Sequence, residues 1–119
     1  MKYSIEKLEE YSGKAATVYT VRIDGDDGHL FDRFVSENLA LHGKEVKNIA
    51  ATIKIIGTVT GARMQYFKEW EGVPGDGVCA LYDSPSSNLR LYCIRYGTSL
   101  IVIGSGGHKP KKYQVVPGQ

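Results

Sequence analysis

The chain has 119 residues, 42% of them hydrophobic and 24% charged, with four prolines and a net charge of +2. At roughly 100–200 residues per domain this is one domain with a core of its own, and the balance of apolar and charged residues excludes a disordered or fibrous chain. No apolar run approaches the ~20 residues of a membrane span, and acidic residues in MKYSIEKLEEYSG stand where a signal peptide has its apolar core, so a cytoplasmic protein is expected.

The first segment, KYSIEKLEE, sets Tyr3, Ile5 and Lys7 against Ser4, Glu6 and Leu8 in the manner of a half-exposed strand. A turn at Tyr11 to Lys14, containing Gly13, leads into the β-branched and aromatic run Ala16 to Ile23, which predicts an amino-terminal strand hairpin over 1–23. DGDDG at 24–28 breaks the strand, and its aspartates are placed to cap a following helix. A calcium loop there lacks the full spacing and the closing Glu.

From His29 to Leu41 the apolar residues Leu30, Phe31, Phe34, Val35, Leu39 and Leu41 recur largely at three- and four-residue intervals, the stripe of an amphipathic helix. Gly43 is expected to end it. A second helix from Lys44 to Ile56 would present Val46, Ile49, Ala50, Ile53 and Ile56, with Gly57 as a left-handed stop, so residues 29–56 are predicted to form a helical hairpin. The glycine- and proline-interrupted stretch from Thr58 to Gly77 reads as irregular. Three strands follow within 78–104: Val78 to Tyr82, Leu89 to Tyr96 and Leu100 to Gly104, with a basic tail over 105–119. Alternation in the middle strand puts Leu89, Leu91 and Cys93 on the helix side and Arg90 and Tyr92 on the open side. The expected architecture is α+β, an antiparallel sheet of four to five strands covered on one face by two helices.

The modest net charge conceals a gradient. Residues 1–60 hold eight basic and nine acidic residues, net −1; residues 61–119 hold seven and four, net +3. No carboxylate follows Asp83, whereas Arg90, Arg95, Lys109, Lys111, Lys112 and His108 do. Such a block suits a phosphate-binding surface, or else a solvated tail. GSGGHKPKKY is not a P-loop, because Lys109 precedes Pro110 rather than Ser or Thr and no helix follows. Gly104, Gly106 and Gly107 are expected to turn the chain off the last strand. His29, His42 and His108 stand at unrelated spacings and Cys79 and Cys93 form no CxxC, so no metal site or other cofactor is expected and the thiols read as buried and reduced.

Cations beside tyrosines and a histidine fit metal-independent RNA cleavage. There the ribose 2′-oxygen attacks the neighbouring phosphorus, its proton passes to a base, and the 5′-oxygen leaves with a proton from an acid. Arg90 suits bidentate phosphate binding, His108 suits proton transfer, Lys109 or Lys112 suits charge neutralisation, and Tyr92 or Tyr113 suits base stacking or proton donation. Each has a structural alternative: an Arg90 ion pair with Asp83 or Glu69, packing for Tyr92, a solvated loop for His108.

The order of a strand, FDRFVSENLALHGKEVKNIAATIKII, the segment with YFKEWEG, and the pair LRLYCIRYGTSLIVIGSGGHKPKK resembles the RelE/HigB-type toxins of bacterial toxin–antitoxin systems over Val18 to Lys112. The resemblance implies a ribosome-dependent mRNA endonuclease that inhibits translation and is silenced by a cognate antitoxin. It implies catalytic roles for Arg90, Lys68, His108 and Tyr113, and RNA contacts from Arg63, Tyr92, Lys109, Lys111 and Lys112. The related ParE branch acts on DNA gyrase, so a non-catalytic binding module, or an inactive basic RNA-binding relative, is the rival expectation.

Overall fold

A computed structural model describes residues 2–69, 78–81 and 87–108. Six strands, β1 (Tyr3–Lys7), β2 (Thr17–Ile23), β3 (Phe67–Glu69), β4 (Val78–Leu81), β5 (Leu89–Tyr96) and β6 (Leu100–His108), form one sheet in the order β1-β2-β6-β5-β4-β3. One helix, α1 (Leu30–Ile55), lies across it. The α+β class expected from the sequence holds, but the sheet has six strands and is mixed, because β2 runs parallel to β6 with Val18 opposite Ile101 and Thr20 opposite Ile103. That pairing is long-range. It places the strand before the helix beside the last strand of the chain, which local alternation cannot reveal.

The amino-terminal hairpin forms as expected, β1 pairing antiparallel with β2 from Tyr3 opposite Ile23 to Lys7 opposite Tyr19. The helical hairpin does not. Residues 30–55 form one helix with a kink at His42, whose φ of −132° and ψ of 39° leave helical space. The buried side runs on either side of the kink: Phe31, Phe34 and Asn38 before it, and Val46, Ile49, Ile53 and Ile56 after it, recur at three- and four-residue steps. Both sides of the kink bury their apolar residues in the same core. Leu39 and Leu41, expected in the core, are 47% and 83% exposed, and buried Asn38 instead donates its side-chain amide to the Phe34 carbonyl at 2.8 Å.

Both helix ends also differ from expectation. The amino-terminal cap is His29, whose Nδ1 accepts from the Asp32 backbone amide at 3.0 Å, while Asp26 of the DGDDG run pairs with Arg33. At the other end α1 widens into a π-helical turn, Ile56–Thr60, and the left-handed residue is Gly61 with φ of 81°, not Gly57. Gly57 serves close approach. A Cβ there would stand 1.8 Å from the Tyr11 carbonyl oxygen, and the Gly57 carbonyl accepts from the amides of Ala15 and Ala16 at 3.0 Å. This contact docks the end of the helix on the loop between β1 and β2.

The core lies between α1 and one sheet face, built from Val18, Phe31, Phe34, Ile49, Ile53, Leu89, Leu91, Ile101 and Ile103. Burying a side chain of this size contributes about 1.5–3 kcal/mol. Thr20 is buried among them and donates its hydroxyl to the Ile103 carbonyl at 2.9 Å, so its polar atom is satisfied. Cys79 and Cys93 face each other across β4 and β5 as buried, reduced thiols. Among the described residues, no helix is long and apolar enough to cross a membrane.

Candidate functional site on the open sheet face

Strand alternation decides which side chains meet on the face that α1 does not cover. Leu89, Leu91 and Cys93 point to the core, so Arg90 and Tyr92 stand on the other side, half-buried, as expected. Register carries that face outward: Tyr92 opposes Ala80, and Ala80 opposes Lys68. Lys68 and Tyr92 therefore flank Ala80, with α-carbons two strand spacings or about 10 Å apart, and Arg90 lies about 7 Å from Tyr92 along β5. An extended Lys and an Arg set about 12 Å apart can converge on one phosphate group.

A second row crosses the same face. Lys7, Tyr19, Val102, Ile94 and Val78 are mutual register partners on five strands, and none is buried. Ile5 and Tyr96 add exposed apolar area at 49% and 58% exposure. The open face thus has an apolar middle beside a cationic corner at Arg90 and Lys68.

His108 is not in that corner. β6 does not end at Gly104 but continues to His108, so the glycines expected to turn the chain lie within a strand. Between β5 and β6 the register slips: Cys93 opposes Ile103 but Leu91 opposes Gly106, so Gly104 and Ser105 together stand opposite Tyr92. This β-bulge reverses the alternation beyond it. Gly106 and His108 come to the helix side, where a Cβ on Gly106 would lie 2.9 Å from the Phe34 ring and 2.3 Å from the Arg90 carbonyl oxygen. His108 meets the kinked helix, its Nε2 3.0 Å from the Nε2 of His42.

The remaining expected residues are dispersed. Arg63 is exposed, and its Nε donates to the Thr60 carbonyl at 3.2 Å. Its neighbour Ala62 is held by Arg95, whose Nε donates to the Ala62 carbonyl at 2.8 Å and whose guanidinium lies over the Phe67 ring. Five residues of β5 separate Arg95 from Arg90, about 17 Å, so Arg63 stands at the other end of the sheet from Arg90. Arg95 is thereby a structural cation. Tyr113, Lys109, Lys111 and Lys112 lie outside the described residues, as does Asp83, one of the two acids weighed as an Arg90 partner.

Two features were missed in the sequence. The His42–His108 pair spans 66 residues and depends on both the kink and the bulge, so spacing gave no signal for it. Near it, Glu45 accepts from the Asn88 and Leu89 amides at 2.8 and 3.1 Å and from the Asn88 side chain at 2.8 Å. Burial pushes the Glu45 carboxyl up, but these hydrogen bonds and nearby His42 outweigh it and hold the group below its ordinary range. A carboxylate one turn beyond the helix kink, and an Asn just before a strand, were the available signal. A groove of about 790 Å³ on the helix side, lined by Leu8, Glu10, Tyr11, Asp26, Asp32 and Leu39, contains none of the expected site residues. Among the described residues no cluster of three or more His, Cys, Asp or Glu side chains could hold a metal ion. Compared with known proteins, the chain matches no family model, no curated protein and no solved structure.

Proposed function

We propose that this chain is an RNA-cleaving toxin that inhibits translation by cutting mRNA, acting on the ribosome and held inactive by a cognate antitoxin. The observation that carries the reading is the Lys68–Ala80–Tyr92 register with Arg90 beside it, a cationic and aromatic corner on the sheet face that α1 does not cover. Arg90 binds the scissile phosphate and stabilises the charge that develops as the 2′-hydroxyl gives up its proton to solvent water and its oxygen adds to phosphorus. Lys68 neutralises the second non-bridging oxygen, and Tyr92 stacks on a splayed base or donates the proton that the departing 5′-oxygen takes. His108 faces the helix and has no place in this step. A strand, a helix, short strands and a strand pair follow one another in the order expected from the resemblance, with one kinked helix in place of the helical hairpin.

A second reading has its own observation. The apolar row Tyr19–Val102–Ile94–Val78 beside that corner suits a protein partner better than a nucleic acid, which favours a non-catalytic inhibitor of a target such as gyrase. Induced expression followed by mapping of mRNA 5′ ends separates the two: new ends within coding regions are expected, and growth arrest with intact transcripts overturns the nuclease reading.

A further inference from the structure

We propose that His42 and His108 form a binding site for a divalent transition-metal ion, Cu²⁺ or Ni²⁺, that ties the kink of α1 to the end of β6. The site lies on the opposite side of the sheet from Arg90 and stands independently of the RNA-cleavage reading.

The argument is geometric. Two imidazole nitrogens bound to one ion at about 2.0–2.1 Å and separated by 3.0 Å subtend roughly 91–97° at the metal. Two adjacent imidazoles suit Cu²⁺ and Ni²⁺, which take nitrogen ligands more strongly than the earlier divalent first-row ions. The ring centroids stand 4.8 Å apart with the planes inclined at 68°.

Two independent backbone irregularities create this meeting. The helix leaves regular geometry at His42, and the bulge in β6 turns His108 from the open face to the helix face. Bulges commonly re-aim a side chain in this way. Without the metal, one ring must donate its Nε2 hydrogen to the other. With it, both rings carry their hydrogen on Nδ1 and both Nε2 lone pairs go to the ion, so the donor ring changes tautomer and no proton is released. Glu45, one turn beyond His42, is not a ligand, because Asn88 and Leu89 occupy its oxygens. It supplies negative charge nearby and anchors Leu89, the register partner of His108. Solvent fills the remaining coordination positions, which leaves them open to exchange.

Titration of the untagged full-length chain with CuSO₄ and NiCl₂, followed by calorimetry and by electron paramagnetic resonance of the copper form, tests the site. One equivalent of copper with hyperfine coupling to two nitrogens is expected. His42→Gln and His108→Gln should each weaken binding at least tenfold, His29→Gln should leave it unchanged, and Zn²⁺ should bind more weakly than either probe. Should His42→Gln unfold the kinked helix, judged by circular dichroism, His108→Gln at the strand end decides. No saturable binding below about 1 mM, or binding indifferent to His108→Gln, overturns the proposal and leaves the pair as a hydrogen bond alone.

Discussion

Substituting alanine at two adjacent glycines of β6 should have opposite consequences. A Cβ at Gly106 would meet the Arg90 carbonyl oxygen at 2.3 Å and two carbons of the Phe34 ring at 2.9 Å; at Gly107 it would meet nothing within 4 Å. The ring can move by changing rotamer, but the carbonyl belongs to the neighbouring strand and moves only if the β5–β6 ladder does. Overpacking of this kind costs about 1–3 kcal/mol, and the backbone clash places Gly106→Ala at the upper end, about 3 kcal/mol. Gly107→Ala fills open space in a strand and reduces the freedom of the unfolded chain, so it should be neutral or stabilising by up to about 1 kcal/mol. Urea unfolding measures both: a lower midpoint with unchanged slope is expected for Gly106→Ala, and an unchanged or higher midpoint for Gly107→Ala. Combining Gly106→Ala with Phe34→Leu should recover only the part of the loss due to the ring. Equal effects at the two glycines, or a larger one at Gly107, would refute the bulged register that sends Gly106 and His108 to the helix side.

Glu45→Gln should cost about 1.5 kcal/mol at neutral pH, since the carboxylate accepts three hydrogen bonds from Asn88 and Leu89. Because the folded carboxyl is held below its ordinary value of 4.5, its contribution is complete above that pH and is lost as pH falls through the folded value. Wild type should therefore lose stability more steeply than Glu45→Gln below pH 4.5; parallel profiles would contradict this. Cys79 and Cys93 should resist Ellman's reagent in the native protein and yield two thiols in urea, because burial and the neighbouring Cys79 push the Cys93 thiol well above its ordinary range. Rapid native labelling of either would place a thiol at the surface.

Short-range features of the fold were legible in the sequence where local chemistry alone decides them. The alternation in LRLYCIRY assigned Arg90 and Tyr92 to the open face, and the amino-terminal hairpin followed from its β-branched runs. Gly43 misled, because a glycine beside a kink looks the same in sequence as one that ends a helix; α1 bends at His42 and runs on to Ile55. Glycine misled again at 104, 106 and 107, where close packing against Phe34 and a bulge opposite Tyr92, not a turn, account for the small residues. The site divided along the same line. Lys68 joined Arg90 and Tyr92 through register, whereas His108 was carried to the other face by a slip of one residue that only cross-strand pairing defines. The parallel β2–β6 contact and the His42–His108 pair needed the whole fold.

The central claim, that the Arg90 corner of the open sheet face cleaves RNA, is tested most directly by mapping mRNA 5′ ends after induced expression of wild type and Arg90→Ala, with urea unfolding of both proteins. Wild type should generate new ends within coding regions. Arg90→Ala should abolish them while the protein still unfolds cooperatively in urea. Identical end profiles for the two proteins, or growth arrest by wild type with transcripts intact, would contradict the account.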